Sequence, residues 1–332
     1  MNAQLQKKAE LMAANSAVVR KSSKLDFQQA SNLGALMLTT QNVQANEPAI
    51  RSCRAILKSR VGIFNNMRGP ATNVALLARM SVESNPEAYL DQVLNAYHAI
   101  TEGKVFRNES LAFTAMTFAD NLQPEEYEAA AQKSWATLAK MRAAHPLLTD
   151  QSDMTLAYLL SHSDIDATQV LEEAEECYST LKTRGFFLNK ETLQNVSVIL
   201  ALSPAPAAQK CARYNEIKDA LKAAGHRIGS MEQAIIAGFV DLAVPTEQIV
   251  AEIGEVDEFL KHKPSFGAFT CGAQLRRMYA ADLVLQTHTD SAAAAATASN
   301  SVTTTVVYQI ISLIIMIIIM ESIIVSSQSH SS

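Results

Sequence analysis

The chain has 332 residues, of which 48% are hydrophobic and 18% charged, so it can bury one large core or two ordinary ones. Its 11 glycines and 9 prolines are too few turn formers for an all-β sandwich or barrel. The formal net charge is −5 and there is no run of lysine and arginine, which argues against nucleic acid as a partner.

The cysteines and the N-terminus indicate a cytoplasmic protein. No two of the four cysteines form a C-x-x-C pair, which excludes a zinc site of the finger or ribbon type. We expect buried free thiols, no bound metal and no cofactor. Residues 1–25 carry charges but no apolar core of a secretory signal, and we predict an N-terminal helix there.

From residue 26 onward, three kinds of helix-boundary signal recur with one period of about 40 residues, which is typical of helical repeats. Polar residues or prolines that open amphipathic runs stand at Pro48, Pro86, Pro124, Pro204 and Pro245. A second series that opens nearly all-apolar runs is Gly69-Pro70, Asn108, Asp150, Asn189 and Ser230. Helix-ending glycines stand at Gly62, Gly103, Gly185 and Gly225.

These signals predict an all-α fold built from six α-hairpins, each with an apolar first helix and an amphipathic second helix. In the second helices, sets such as Trp135, Leu138 and Met141 fall on one face. The period resembles that of HEAT-type solenoids, although six hairpins can also close into an α/α toroid. The predicted hairpins are residues 26–66, 67–104, 105–145, 146–185, 186–226 and 227–267, within a repeat domain of residues 26–285.

The tail divides into an Ala/Ser/Thr-rich linker at 286–305, a hydrophobic segment at 306–325 and a polar end at 326–332. Twenty residues of helix span about 30 Å, the thickness of a hydrocarbon core, so Val306 to Val325 is a candidate membrane anchor. All 28 lysines and arginines lie at or before Arg277, which would hold the repeats in the cytoplasm. Gln309, Ser312 and Glu321 weaken this interpretation. A buried terminal segment or an aggregation-prone end are the alternatives.

One stretch resembles a catalytic or metal-binding set, because His145 and His162 bracket Asp150 and Asp153. A structural interpretation is favoured. His145 replaces a helix-ending glycine, Asp150 stands at a helix start with Asp153 three residues later, and His162 precedes the capping box Ser163-x-x-Asp166. Ser230-x-x-Gln233 is predicted to be a second such box. For an enzyme, the residues to test first would be His145, Asp150, Asp153, Cys177 and Arg68, with no metal ligands among them.

The chain carries no common nucleotide-binding, hydrolase or metalloprotease motif. Over about residues 5–285 it resembles an uncharacterised family of Firmicute bacteria, known as a domain of unknown function (number four thousand and three). The family pattern usually has phenylalanine at Met67 and histidine at Val198, so a catalytic histidine at 198 is not expected here. The resemblance implies a cytosolic bacterial protein and no particular activity. It rests on Met67-Arg68-Gly69, Lys140-Met141, His145-Pro146-Leu147-Leu148-Thr149, Asp153, Leu193-Gln194, Ser197 and Arg277-Met278-Tyr279-Ala280.

The predicted function is that of a non-enzymatic interaction or scaffold protein, because stacked hairpins expose a long groove suited to a protein or peptide. One alternative is an enzyme or small-ligand binder with its site in the cavity of an α/α toroid. Another is a membrane-attached adaptor that uses the C-terminal tail.

Overall fold

The structure, a computed structural model, describes residues 1–22, 28–144, 149–162, 167–183, 190–226, 228–268, 270–298 and 302–329. Over these ranges the regular secondary structure is helical and contains no strand, which confirms the predicted all-α class. The α-helices are α1 (Ala3–Ser22), α2 (Gln28–Thr40), α3 (Glu47–Arg60), α4 (Pro70–Met80), α5 (Pro86–Thr101), α6 (Glu109–Asn121), α7 (Tyr127–Ala144), α8 (Met154–His162), α9 (Ala167–Thr183), α10 (Lys190–Ala201), α11 (Ala207–Ala223), α12 (Ser230–Ala237), α13 (Thr246–Lys261), α14 (Ala273–Ala298) and α15 (Val302–Ser329).

Asparagine caps open three helices of the N-terminal unit, α3, α5 and α6, where the sequence predicts helix starts. The side chains of Asn46, Asn85 and Asn108 each accept the backbone N–H three residues later, at 3.1 Å in every case. These bonds satisfy donors that the first turn of a helix leaves without an intrahelical partner. The starts of α3, α5 and α6 are therefore fixed by local sequence.

Two predicted helix starts are wrong in detail. The helix expected after Pro204 begins at Ala207, with Pro206 as its N-cap. Ser230 is not the N-cap that the predicted box with Gln233 requires, because α12 already begins at Ser230 and its N-cap is Gly229. There the N–H of Gly229 donates to the carboxylate of Glu232, which is a stronger acceptor than an amide. Ser163–Asp166, Asn189 and Gly185 lie outside the described residues.

The predicted helix-ending glycines divide into two kinds. Gly103 and Gly225 have φ of +67° and +83°, the left-handed conformation that a glycine after a helix usually supplies. Gly62 does not have positive φ, because α3 ends at Arg60 and its C-cap Val61 is already extended. The sequence signal was therefore correct at Gly103 and Gly225 and wrong at Gly62.

The chain divides into two compact units, and each follows the same plan. In the N-terminal unit, residues 10–162 and 319–332, helices α2, α4, α6 and α8 pack in succession, as do α3, α5 and α7. In the C-terminal unit, residues 1–9 and 163–318, the series are α10, α12 and α14, and α9, α11 and α13. The helices of each unit thus form two layers.

The closest helix pairs are offset from the predicted hairpins. In the N-terminal unit, α5 packs more extensively on α6 than on α4, although α4 and α5 were assigned to one hairpin. In the C-terminal unit, α13 packs on α14 in the same way. In these two pairs the amphipathic helix packs most closely on the helix that follows it, whereas α11 packs more on α9 and α13 than on α12.

The apolar helices are buried on every side. In α6 all nine residues from Ser110 to Phe118 are buried, and in α8 all eight from Met154 to Ser161. In α3, by contrast, only Ile50, Cys53 and Leu57 are buried, on one face. This confirms the predicted contrast between all-apolar and amphipathic helices.

The segment predicted as a linker, residues 286–305, is helical up to Ala298 in α14 and again from Val302 in α15. Among the described helices, α15 contains one segment, Val307–Val325, that is long and apolar enough to cross a membrane, with a mean hydropathy of 2.4. That segment is 67% buried within the protein. In the C-terminal unit, a methyl group added to Gly238 would lie 3.2 Å from Cγ2 of Ile311, which shows that α15 packs closely there.

The two kinds of glycine give a paired stability prediction. We expect Gly103→Ala to destabilise the protein by about 1–2 kcal/mol, because alanine is strained in the left-handed conformation. The matched change Gly62→Ala meets no atom within 4 Å. It should leave stability unchanged or raise it by about 0.4–1 kcal/mol, through a smaller unfolded-state entropy. Urea unfolding of both variants measures the difference, and equal losses would contradict the assignment.

Candidate functional site

Asp150 and Asp153 lie together at one helix start rather than across a cleft. Oδ1 of Asp150 accepts the N–H of Ser152 at 2.7 Å, and the N–H of Asp150 donates to Oδ2 of Asp153 at 3.0 Å. This reciprocal capping box opens the 3₁₀ turn Gln151–Asp153, which leads directly into α8. Both carboxylates thus have the structural roles that their spacing predicts.

The two histidines of the same stretch are not seen as a pair, because His145 lies outside the described residues. His162 is the last residue of α8, and its Nδ1 lies 3.1 Å from the carbonyl oxygen of Tyr158 and 2.7 Å from Oγ of Ser161. Burial lowers its pKa. The ring therefore completes the end of a helix.

The pKa of Cys177 is shifted in the direction opposite to that of a catalytic cysteine. It lies fully buried on α9 against Cys211 of α11, whose Sγ is 3.9 Å from the carbonyl oxygen of Cys177. The neighbouring thiol of Cys211 and burial together raise the pKa of Cys177 far above its usual range. Because the thiolate is the reactive form, this environment disfavours nucleophilic attack.

Arg68 belongs to the turn Asn66–Arg68 that precedes α4. Its Nη1 donates to the carbonyl oxygen of Val61 at 3.3 Å. The bond ties the Arg68 guanidinium to the C-cap of α3, so Arg68 has a local structural role.

In the C-terminal unit, the buried Lys8 of α1 pairs with the exposed Asp290 of α14, and Asp282 of α14 is buried. Nζ of Lys8 lies 2.7 Å from Oδ2 of Asp290. Asp282 accepts a hydrogen bond from Gln286 at 2.7 Å, and burial raises its pKa to about 7, while the nearby charge of Lys8 opposes the shift. These charged groups have partners within the protein. In the described part of the chain no three His, Cys, Asp or Glu side chains are placed to hold a metal ion.

A concave site of the N-terminal unit lies between the end of α5 and the first half of α7, with a volume of about 400 Å³. Ala99 and Ala131 are the small residues in its wall, so neighbouring longer side chains leave a hollow between the helices. We refer to it as the Trp135 pocket, after the chain's single tryptophan. Its lining residues are Ala99, Glu102, Lys104, Glu128, Ala131, Gln132 and Trp135.

The Trp135 pocket combines one aromatic face with charges of both signs. Nε1 of Trp135 donates to the carbonyl oxygen of Ile100 at 3.0 Å, which fixes the indole on α5. Nζ of Lys104 stands 4.1 Å from the ring centroid. The carboxylates of Glu102 and Glu128 also line the pocket. An aromatic face with carboxylates beside it attracts a cationic group.

The sequence pattern places Trp135 on one helix face with Leu138 and Met141. Leu138 and Met141 are indeed buried, but Trp135 is only partly so. Helical periodicity indicates which face of a helix is apolar but not how deeply each side chain is buried, so it did not reveal the pocket. The sequence does contain one signal, which is that the chain's single tryptophan lies on a helix predicted to be amphipathic.

Over the described residues the protein is therefore all-helical, and buried apolar helices alternate with amphipathic helices. The profile of the family described as "Protein of unknown function (DUF4003)" matches residues 16–317, and the chain belongs to that family. This confirms the resemblance seen in the sequence. The description names no activity or organism, so an origin in Firmicute bacteria stays a prediction. No curated protein and no solved structure matches the chain.

The capping box predicts how substitutions of Asp150 behave. Asp150→Asn should change stability little, because asparagine caps about as well as aspartate. Asp150→Ala should cost about 0.5–2 kcal/mol, because it leaves the N–H of Ser152 without this acceptor. Thermal melts of both variants measure this. Two variants that melt like the wild type would contradict the capping role.

Proposed function

We propose that the protein is a helical-repeat interaction module that binds another protein through the Trp135 pocket. The alternation of apolar and amphipathic helices at a period of about 40 residues supports a repeat architecture, which generally serves binding rather than chemistry. The observation that carries the proposal is the exposed pocket itself, where an indole, two carboxylates and a lysine meet in the N-terminal unit.

The pocket favours a partner that presents a basic side chain. Lys104 already places its ammonium over the Trp135 ring, so the indole face binds a cation within the chain itself. Glu102 and Glu128 leave the lining with one more negative than positive charge. An arginine from a partner is planar, stacks on aromatic rings and forms paired hydrogen bonds with carboxylates. It would therefore use both features when it displaces Lys104.

The enzyme alternative has weaker support. The carboxylates of Asp150 and Asp153 accept backbone N–H groups at a helix start, and the raised pKa of Cys177 keeps its thiol neutral. Arg68 bonds to a backbone carbonyl. A catalytic set needs groups that converge on one reacting atom, and these residues have local partners instead.

The test uses Trp135 as the reporter, since its fluorescence changes when a ligand contacts the ring. The probe is a short peptide with a central arginine, and the matched ligand carries neutral citrulline at that position. We expect saturable binding of the arginine peptide and much weaker binding of the citrulline peptide. Replacing both carboxylates, Glu102→Gln with Glu128→Gln, should weaken binding about threefold to tenfold.

Glu176→Gln is the control variant, because Glu176 is an exposed glutamate of α9 outside the pocket. It should bind the peptide as the wild type does. Equal affinity for the two peptides, or an unchanged affinity of the double variant, would refute a basic partner at this site.

A second candidate function, attachment to a membrane, is favoured by α15. Its segment Val307–Val325 has the length and apolarity of a membrane span, although such a helix is equally the core helix of a soluble protein. The burial of 67% of the segment agrees with a core helix of a soluble protein. The lysines and arginines at or before Arg277 would keep the helical units on the cytoplasmic side.

Fractionation of the native cell tests the anchor with the full-length chain. An inserted α15 predicts that the protein sediments with membranes and resists carbonate extraction, as an integral marker does. Full-length protein that stays in the soluble fraction and unfolds cooperatively would assign α15 to the core.

A further inference from the structure

Two loops of the N-terminal unit expose large apolar side chains to solvent. Ile63 and Phe64 are 67% and 96% exposed, and Val105 and Phe106 are 87% and 78% exposed. In the described residues the other large apolar side chain with comparable exposure is Val325. Leaving two phenylalanines in water is costly, so a concentration of such residues marks an interaction surface.

The two loops, residues 62–65 and 103–107, follow helices that pack side by side. The first loop follows α3 and the second follows α5, and α3 contacts α5 within the unit. Nδ2 of Asn66, just after the first loop, donates to the Tyr97 hydroxyl near the end of α5 at 2.8 Å. The first loop is thus tied to the part of α5 from which the second loop emerges. We call this pair of loops the apolar tips.

The charge around the apolar tips is positive, although the chain as a whole is negative. Neither loop contains an acidic residue, and the second contains Lys104 and Arg107. The exposed Glu102 of the Trp135 pocket directly precedes the second loop, so residues 102–107 carry two positive charges and one negative charge. The last turn of α3 adds Lys58 and Arg60, of which Arg60 pairs with Asp91. Lys58 and Arg107 are both exposed. At physiological ionic strength the screening length is about 8 Å, so these local cations outweigh distant acidic residues.

We propose that the apolar tips bind the surface of an anionic lipid bilayer. Side chains that are 67–96% exposed stand out from the surface instead of lining a hollow, which suits insertion between lipid headgroups. The exposed Lys58 and Arg107 then meet the negative headgroups around the inserted side chains. This surface binding differs from insertion of α15, and the surface shares Lys104 with the Trp135 pocket.

Co-sedimentation of the full-length protein with vesicles tests the proposal. One set of vesicles is phosphatidylcholine alone, and the other is equal parts of phosphatidylcholine and phosphatidylserine. The wild type should bind the second set and be released by high salt. The double variant Phe64→Ser with Phe106→Ser should lose at least about tenfold in partition, because both rings leave the bilayer. Its thermal stability should not change, since neither ring is buried in the protein.

Charge reversal supplies a second arm with a matched control. Lys58→Glu with Arg107→Glu should weaken binding to the phosphatidylserine vesicles, whereas Lys222→Glu, at an exposed lysine of α11, should not.

Three results would overturn the proposal. The first is no binding of the wild type to either vesicle, which would leave the tips as a protein contact. The second is equal binding to neutral and anionic vesicles, which indicates insertion of α15. The third is wild-type binding by the Phe64 and Phe106 double variant.

Discussion

An α-helix that is apolar on every face has to be covered on every side, and this requirement organises the described structure. In α6 and α8 every residue from Ser110 to Phe118 and from Met154 to Ser161 is buried. Amphipathic helices such as α3 and α5 supply part of the cover, because each has one apolar face. The burial of most of Val307–Val325 follows the same rule, since an isoleucine-rich helix is unstable in water.

Polar residues whose spacing resembles a catalytic site serve mainly to complete the helix ends. Asp150 and Asp153 close a capping box, and three asparagines cap α3, α5 and α6. Glu109 does this across helices, since its Oε2 accepts the N–H groups of Ala71 and Thr72 at the start of α4, at 3.1 and 3.0 Å. Burial raises the pKa of Glu109, and the bonds from α4 oppose that shift. Gly69 has no room for a side chain because this carboxylate lies against it.

The surfaces offered for function lie where the helix layers end. The Trp135 pocket forms between the end of α5 and α7, and the apolar tips extend from the ends of α3 and α5. Lys104 belongs to both regions, because it follows Gly103 in the loop and lies over the indole. The left-handed conformation of Gly103 turns the chain at this point. Binding surfaces and helix termination are therefore linked in this part of the N-terminal unit.

The sequence by itself determined the helical class, the helix starts at Asn46, Asn85 and Asn108, and the contrast between apolar and amphipathic helices. These depend on caps and periodicity, which act within a few residues. Tertiary structure alone decided the pairing of α5 with α6, the extension of α14 into the expected linker as far as Ala298, and the reach of Glu109 to α4. It also decided that Trp135 borders a hollow and that Phe64 and Phe106 stand in solvent. Such features depend on which neighbours cover a side chain, and neighbours distant in sequence leave no local signal.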